Sequence, residues 1–460
     1  GWLEWNPGLR FGEYEEIVGY HLERAYGYRR DLGRIDDHAL TLANGASTRL
    51  ASAGRRALSR GDLPAAAKLL DRAAALLPQD APERLDLLLD LARSLILLGE
   101  GRRFEGVLDE VDARAEAQGD ARAAARARIE RYQLRTVTED EEDWKDEALG
   151  DAEAAIPVFK RHGDDLGLAR AYQLLAECYW LEGRHGQAEP YLERALIHAR
   201  RAQNAVEQTT NVVALSTAKL VGPTPVDEAI AWCERALAEG AGGNRWLQAS
   251  VRLRLAELTA VRGDFEEARM LATEASSELL ELGLSQSLLA AGEIFGDIEI
   301  LAGNPTGAEQ QFRRAYELSK EIDEPISVAQ FAGHLALAMY EQGRYEEAEE
   351  MLDVSAALGG TALERAMWRS TRALILARRG DFDDAVTAAQ LSVRELVEVD
   401  GWWFKGWALM SLAEVLALAG EERAALGPLE EALELFEHKG VVPWIKKMRT
   451  MRGLLTSSTG

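Results

Sequence analysis

Cysteine, proline and basic charge are all scarce in this sequence. Two cysteines among 460 residues, Cys178 and Cys233, exclude a disulfide framework and fit a reducing compartment. Proline is rare while alanine, the strongest helix former, is abundant, which argues against an all-β fold. Acidic residues outnumber basic residues by 77 to 53, giving a net charge of −24, which argues against nucleic-acid phosphates and anionic membranes as partners. No apolar run approaches the length of a membrane span. We therefore expect a cytoplasmic protein that binds neither nucleic acid nor membrane.

Motifs for catalysis and metal binding are also missing. The chain has no Gly-x-x-x-x-Gly-Lys phosphate loop, no Gly-x-Ser-x-Gly elbow and no His-Glu-x-x-His motif. The seven histidines lack the spacing of a helical metal site, and the acidic run 139–143 lacks the order of a calcium loop and is interpreted as a solvated turn. Both cysteines stand in apolar helical contexts, which predicts buried structural thiols. We predict no catalytic residue, no metal, no cofactor and no enzymatic activity in this chain.

A repeat of about forty residues runs through most of the chain. Three segments show it most clearly: GDFEEARMLATEA from Gly263, GRYEEAEEMLDVS from Gly343 and GDFDDAVTAAQLS from Gly380. The same phase recurs at positions 61, 101, 143, 183, 224, 263, 303, 343, 380 and 420, which makes ten units. In all ten units the residues five and twelve positions after the phase position are Ala, Gly or Ser.

This spacing has a simple physical meaning. Residues seven apart lie on one face of a helix, so two small side chains there let a second helix approach closely. Glycine at the phase position supplies the left-handed residue that ends the first helix, and Asp62, Asp264 and Asp381 are placed to cap the second. One such helix pair cannot bury its apolar face alone, and stacked neighbours complete the core. The sequence predicts an all-α fold: a right-handed superhelical solenoid of about ten helical hairpins.

The hairpin pattern resembles the tetratricopeptide repeat, lengthened to about 40 residues. The ends carry a further likeness. Residues 16–33 (EIVGYHLERAYGYRRDLG), 50–62 and 432–440 resemble the junction and repeats that follow the ATPase module in actinobacterial STAND-class regulators. These regulators include adenylate/guanylate cyclase–ATPase–repeat fusions and large LuxR-type proteins, and the resemblance implies that the repeats act as a sensor or docking arm.

The same resemblance implies a division of the chain. Residues 1–45 would form a helical junction after an ATPase module that this chain lacks, and residues 46–440 would form the repeat array. Residues 441–460 would form a capping helix and tail. The first residue is Gly1 and not methionine, from which we expect a fragment of a longer protein.

The inner faces of the first helices line the groove of a tetratricopeptide array, and this sequence places polar side chains there. Mapped from the phase positions, the groove candidates are Arg131, Arg135, Arg170, Gln173, Glu177, Gln208, Asn211, Arg254, Glu257, Glu293, Asp297, His334 and Trp407. Arginines precede a stretch dominated by carboxylates, a dipolar pattern that would orient an extended peptide. A merely solvated polar face would give the same pattern. For His334 a packing or surface position is favoured over a ligand contact.

An aromatic cluster near residue 402 is the other prominent feature. Trp403 occupies the phase at which a first helix begins, where an apolar side chain packs. Trp402 and Trp407 have no such packing role, and we expect them to be exposed or to contact a ligand.

Two functions follow from these patterns. The first is a sensor arm that binds a protein or peptide, including its own ATPase module, in the concave groove. The second is a receptor for a small aromatic or sugar effector in the groove or near Trp402–Trp407. Irregular units at 136–146 and 222–226 are where we expect the solenoid to bend.

Overall fold

Helices account for all regular structure in the described part of the protein. The computed structural model describes residues 11–60, 62–138, 144–239, 244–282, 285–359 and 361–458. Within these ranges the chain forms 22 α-helices and no β-strand. The prediction of an all-α fold of stacked helical hairpins is confirmed. The phase positions Gly61 and Asp143 and the acidic run 139–143 lie outside the described residues.

The chain divides into two compact units. Unit 1 comprises residues up to 175 and residues 194–208, and unit 2 comprises residues 176–193 and those from 209 onward. The helices of unit 1 are α1 (Phe11–Asp31), α2 (Asp37–Ser59), α3 (Leu63–Ala75), α4 (Pro82–Leu97), α5 (Gly101–Gln118), α6 (Ala121–Thr138) and α7 (Lys145–His162). Three helices are divided between the units: α8 (Asp165–Leu181), α9 (His185–Arg201) and α10 (Ala205–Val221).

Unit 2 holds the remaining helices. They are α11 (Val226–Glu239), α12 (Arg245–Arg262), α13 (Phe265–Glu281), α14 (Ser285–Leu301), α15 (Pro305–Glu321), α16 (Pro325–Glu341), α17 (Tyr345–Leu358), α18 (Ala362–Arg379), α19 (Phe382–Glu395), α20 (Trp402–Leu418), α21 (Glu422–Lys439) and α22 (Val442–Ser458). Helices α12, α14, α16, α18 and α20 contact one another in series, and each also packs on the helix that follows it. These five helices therefore form one continuous layer.

The small residues and glycines of the repeat do what their spacing predicts. The glycines that end first helices have left-handed φ values between 69° and 102° at Gly183, Gly263, Gly303, Gly343, Gly380 and Gly420. The alanines five positions later are completely buried at Ala188, Ala268, Ala308, Ala348, Ala385 and Ala425. Close approach of helices through small side chains is therefore confirmed for these units.

In the unit assigned to Gly101 the predicted register was wrong. The left-handed residue is Gly99, with φ of 75°, and Gly101 instead begins α5. Phe104 takes the buried position that was assigned to Gly106, while Gly106 and Ala113 are exposed. The phase position of this unit is therefore Gly99, two residues earlier than predicted. Five residues after it, the helix contact is made by the large Phe104, where the other units have a small residue.

One of the three predicted aspartate N-caps is confirmed. The Asp62 carboxylate accepts a hydrogen bond from the Ala65 backbone N–H at 3.2 Å, as an N-cap should. Asp264 instead accepts from Arg262 Nε at 2.7 Å, and Asp381 makes no side-chain cap bond. For Asp264 the neighbouring guanidinium competes with the helix for the same carboxylate.

Unit 2 folds back so that its beginning contacts its end. The Asp400 carboxylate accepts hydrogen bonds from the backbone N–H groups of His185 and Gly186, both at 2.8 Å. The Trp402 indole Nε1 donates to the Leu220 carbonyl oxygen at 2.7 Å. A repeat array normally contacts only its neighbouring units, so this closing contact departs from the repeat plan.

A buried ammonium group completes the closing contact. Lys439 Nζ donates to the carbonyl oxygens of Lys219, Gly222 and Thr224 at 2.6, 3.0 and 2.6 Å. The Lys439 side chain is only 1% exposed, and this burial lowers its pKa to about 7. The turn that we expected to bend, at 222–226, is thus bound by the end of α21, and its bending stays a prediction.

Candidate ligand-binding site

Unit 1 contains a cavity of about 550 Å3 lined by arginines, which we call the arginine pocket. Its charged lining residues are Arg55, Arg56, Arg93, Arg122, Arg126, Arg170, Asp86, Asp90 and Glu207. They come from α2, α4, α6 and α8 and from the first turn of α10. Six guanidinium groups thus face three carboxylates in one concavity.

A helix cap places the deepest carboxylate of the pocket. Gln203 has a left-handed φ of 51°, and the next residue, Asn204, immediately precedes α10. The Asn204 side-chain oxygen accepts from the backbone N–H groups of Val206 and Glu207, both at 3.1 Å. Glu207 therefore sits in the first turn of α10, where the helix dipole favours a negative charge.

Two arginines hold the Glu207 carboxylate in its ionised form. Glu207 is completely buried, and its Oε1 lies 3.5 Å from Arg93 Nε and 3.4 Å from Arg170 Nε. Burial alone would raise the pKa of Glu207, but Arg93 and Arg170 hold it below its ordinary value. Arg170 also pairs with Glu130. This buried network fixes the guanidinium planes on α4 and α8.

A second network orders the α6 side of the pocket. Arg126 Nε donates to Asp164 Oδ2 at 2.6 Å, and a second guanidinium nitrogen pairs with the other carboxylate oxygen. Asp164 Oδ1 also accepts from the Gly167 backbone N–H at 2.9 Å. Burial opposes ionisation, yet Arg126 and the Gly167 amide hold the pKa of Asp164 below its ordinary value. The fork-shaped pair leaves Arg126 little freedom to move.

The rim of the pocket is looser and more accessible. Arg55 pairs with Asp90 at 2.7 Å and keeps 53% of its side chain exposed, and Arg122 pairs with Asp86 at 3.0 Å with 23% exposed. Such partly exposed pairs contribute little to stability and exchange partners readily. A planar guanidinium binds a carboxylate or phosphate through two parallel hydrogen bonds. The pocket therefore offers fixed arginines at its floor and exchangeable arginines at its rim to an anionic group.

Of the predicted groove residues, one lines the arginine pocket, namely Arg170. Arg131 pairs with Asp109 and Asp112 at 2.9 and 2.6 Å, and Arg135 pairs with Glu147 at 2.7 Å, so both serve contacts between neighbouring helices. Among the remaining candidates in this part of the chain, Gln173 and Asn211 are buried, Glu177 is half-buried, and Gln208 donates to the Ala199 carbonyl at 3.4 Å.

Sequence reasoning missed most of the pocket. Arg55, Arg93, Arg122, Arg126 and Glu207 were not among the candidates. One sequence feature could have pointed to them: arginine recurs on the successive first helices of unit 1. Because the phase of the unit at Gly99 was assigned two residues late, these arginines did not align with one another in the predicted repeat.

The predicted carboxylates of unit 2 do come together, in what we call the acidic cleft: Glu257 on α12 and Glu293 and Asp297 on α14. Glu257 Oε2 lies 3.9 Å from Arg254 Nη1, and Glu293 Oε1 accepts from Gln330 Nε2 at 2.9 Å. Burial raises the pKa of Glu257 to about 7 and raises that of Glu293. Burial, together with the two neighbouring glutamates, also raises the pKa of Asp297 well above its ordinary value.

His334 packs in the core of the same face. Its ring stacks on Phe312 with centroids 4.9 Å apart, and burial lowers its pKa to about 4. His334 thus occupies a buried packing position, and its imidazole is neutral at physiological pH.

The predicted exposure of two tryptophans was wrong. Trp402 is 1% exposed and donates its indole N–H within the closing contact, and Trp407 is 4% exposed and lies beside Trp444 with ring centroids 6.3 Å apart. Trp403 is buried, as predicted. The rings of Trp402, Trp403 and Trp407 all pack against Trp444.

Both thiols are buried, as the sequence predicts. Cys178 is 1% exposed and Cys233 is completely buried, and burial raises the pKa of the Cys233 thiol to about 12. Among the described residues, no three His, Cys, Asp or Glu side chains converge as a metal site would require. No helix in that part of the chain combines the length and apolar character needed to cross a bilayer.

Comparison with known proteins bears on the hairpin that α8 and α9 form. Residues 169–196 match the family model of the tetratricopeptide repeat. This hairpin is a tetratricopeptide repeat. It contains Gly183 and Ala188, two positions on which the forty-residue period was built. By sequence, no curated protein matches the chain.

Two solved structures, each with a bound factor or peptide, share the fold of this chain. A Rap protein in complex with the competence and sporulation factor aligns with a TM-score of 0.51 at 12% identity, over 83% of this chain and 99% of that one. NprR, a quorum sensor from B. thuringiensis, in complex with its peptide NprX aligns with a TM-score of 0.52 at 14% identity, over 77% of this chain and 99% of that one. At these identities the similarity establishes the fold alone.

Proposed function

We propose that this chain is a non-catalytic recognition domain that binds a protein or peptide partner through the arginine pocket of unit 1. The observation that carries the proposal is the set of six guanidinium groups in one concavity, formed by the inner helices of successive hairpins. Such a lining selects a partner that presents carboxylate or phosphate groups, since arginine forks bind both through paired hydrogen bonds.

The net charge of the whole chain makes this pocket selective. The protein carries a charge of −24, so an acidic partner is repelled by most of its surface. The arginine pocket offers a local concentration of positive charge against that background. Burial of Arg93, Arg126 and Arg170 to between 6% and 8% exposure makes each hydrogen bond there stronger than at an open surface.

The structural neighbours support the same class of function. The Rap and NprR structures hold the competence and sporulation factor and the NprX peptide, respectively. Resemblance of the chain ends to STAND-class regulators supports a sensor arm that follows an ATPase module, with a junction at 1–45, repeats at 46–440 and a cap at 441–460. In that setting the partner would be a cytoplasmic protein or peptide, or the ATPase module itself.

Selection from a random peptide library on the full chain tests this function. We expect the selected peptides to be enriched in Asp and Glu, and we expect the best of them to bind Arg122→Gln about tenfold more weakly, because one charged hydrogen-bond donor at the rim is lost. The matched control is Arg131→Gln, which removes a paired arginine outside the pocket and should leave affinity unchanged. Selected peptides without acidic residues, or equal affinity for the Arg122 variant, would refute the assignment.

A further inference from the structure

Three carboxylates in the acidic cleft share one nearby guanidinium. Glu257 and Asp297 are each 6% exposed, yet Glu257 meets its cation, Arg254, only at 3.9 Å. Asp297 faces Glu257, Glu293 and that same arginine. Lys439 is the other cation that acts on Glu257, so two cations serve three carboxylates in a place where water screens charge poorly.

In unit 1, the buried carboxylates are neutralised by arginine side chains of the same chain. Glu207 lies within 3.5 Å of two arginines, and Asp164 makes a fork-shaped pair with Arg126. The pKa values of both carboxylates are held down, whereas those of the carboxylates in the acidic cleft are raised. The buried carboxylates of unit 1 are thus paired with arginines, whereas those of the acidic cleft have fewer cations than negative groups.

Several buried polar atoms around the cleft also lack partners. Asp297 Oδ1, Arg254 Nε and His334 Nδ1 make no hydrogen bond within the described structure. His334 lies one helical turn after Gln330, and Gln330 donates to Glu293, so the imidazole shares the face of α16 that borders the cleft. Buried polar groups without partners are uncommon in native proteins and mark positions that a ligand or water completes.

The three carboxylates differ in exposure. Glu293 and Gln330 are half-buried, in contrast to the buried Glu257 and Asp297. An entering group would therefore meet Glu293 first and the two buried carboxylates behind it. The described carboxylates do not form a group that could hold a metal ion, which favours a larger organic cation with several N–H donors.

We propose that the acidic cleft of unit 2 binds a guanidinium or ammonium group held by Glu293 and Asp297. An arginine or lysine side chain of a peptide and a free amine such as a polyamine share this chemistry. The inference does not depend on the arginine pocket, which belongs to the other unit.

Calorimetric titration of the full chain with argininamide tests the proposal, with citrullinamide as its uncharged counterpart. We expect argininamide to bind and citrullinamide not to bind, and we expect Glu293→Gln and Asp297→Asn each to weaken argininamide by about tenfold or more. Both variants remove a charge from a like-charged cluster, so they should fold, and far-UV circular dichroism checks this. Glu317→Gln, an exposed carboxylate on α15, is the matched control and should bind like the wild type.

A short glycine–serine peptide with one central arginine distinguishes the source of the cation. Binding of this peptide but not of free argininamide, lost in the Asp297→Asn variant, supports the site and assigns it to a peptide side chain. Binding of neither probe to the wild type overturns the proposal, as does binding that both cleft variants leave unchanged. The Arg122→Gln variant should bind argininamide normally, so failure at the arginine pocket and failure here are distinguishable.

Discussion

Replacing Lys439 with methionine should change how the stability of unit 2 depends on pH. Lys439→Met keeps the length of the side chain but removes the ammonium that donates to three carbonyl oxygens. Burial lowers the pKa of Lys439 from 10.5 to about 7, so above pH 7 the folded protein prefers the neutral amine while the unfolded chain still binds a proton.

The sign of the effect follows from proton binding. Above the unfolded pKa both states are neutral and burial of the amine carries no ionisation penalty. As pH falls toward the folded pKa the unfolded chain gains a proton first, and the folded state loses stability relative to it. With one proton of difference the slope is about 1.4 kcal/mol per pH unit, which gives about 2 kcal/mol between about pH 7.5 and about pH 9.

Urea unfolding followed by tryptophan fluorescence measures this effect, because Trp402, Trp403 and Trp444 form one ring cluster beside the closing contact. The wild type should gain stability across that pH range relative to Lys439→Met. The buried Cys233 thiol and other titrating groups contribute to both proteins, so the difference between the two curves isolates Lys439. The exposed Lys446 provides the control variant Lys446→Met, which should keep the slope of the wild type. Parallel curves for the wild type and Lys439→Met would show that the ammonium keeps its proton inside the fold, and would refute this reasoning.

Three further predictions concern the helix contacts and the two charged sites. Gly296→Ala should lower the melting temperature, because its Cβ would collide with the Phe312 ring, and overpacking of this kind costs about 1–3 kcal/mol. Gly106→Ala, at an exposed helical position with open space around it, should raise the melting temperature slightly, and equal effects of the two variants would contradict the packing argument. Glu207→Gln should destabilise unit 1 by about 3 kcal/mol in urea unfolding, because two buried guanidinium groups lose their shared partner, and a neutral result would show that water reaches them. Argininamide should bind more tightly at pH 8 than at pH 6, since the pKa of Glu257 lies at about 7 and its carboxylate is ionised at the higher pH. Titration calorimetry at the two pH values measures this difference, and equal affinities would contradict the prediction.

The fold could be predicted from sequence because its determinants are local. A glycine that ends one helix and two small residues seven apart on the next act within one hairpin, and they recur each time a hairpin is repeated. Gly263 and Ala268 illustrate this, since the first is left-handed and the second fully buried. In the unit where the large Phe104 replaces a small residue, the same reasoning assigned the helix-ending glycine to position 101, two residues after the left-handed Gly99.

The candidate sites could be predicted only in part, because their properties depend on pairing between helices. Polar residues on first helices included Glu257, Glu293 and Asp297, which the structure brings close together. Whether such a residue is neutralised depends on what the neighbouring helix presents. Glu207 meets two arginines, whereas Asp297 meets two more carboxylates, and neither outcome follows from its own position in the repeat.

The closing contact is the clearest case of information that the repeat does not carry. Lys439 ends the second helix of its hairpin, just before the left-handed Gly440, whereas Arg262 and Arg379, which precede left-handed glycines at the ends of first helices, remain partly exposed. Here the ammonium is instead taken up by carbonyl oxygens more than two hundred residues earlier in the chain, and Trp402 is buried by the same approach. The residues that depart most from the repeat in unit 2 are thus those that join its two ends. It follows that a change at Lys439 should disturb the burial of Trp402, although the two residues belong to different helices.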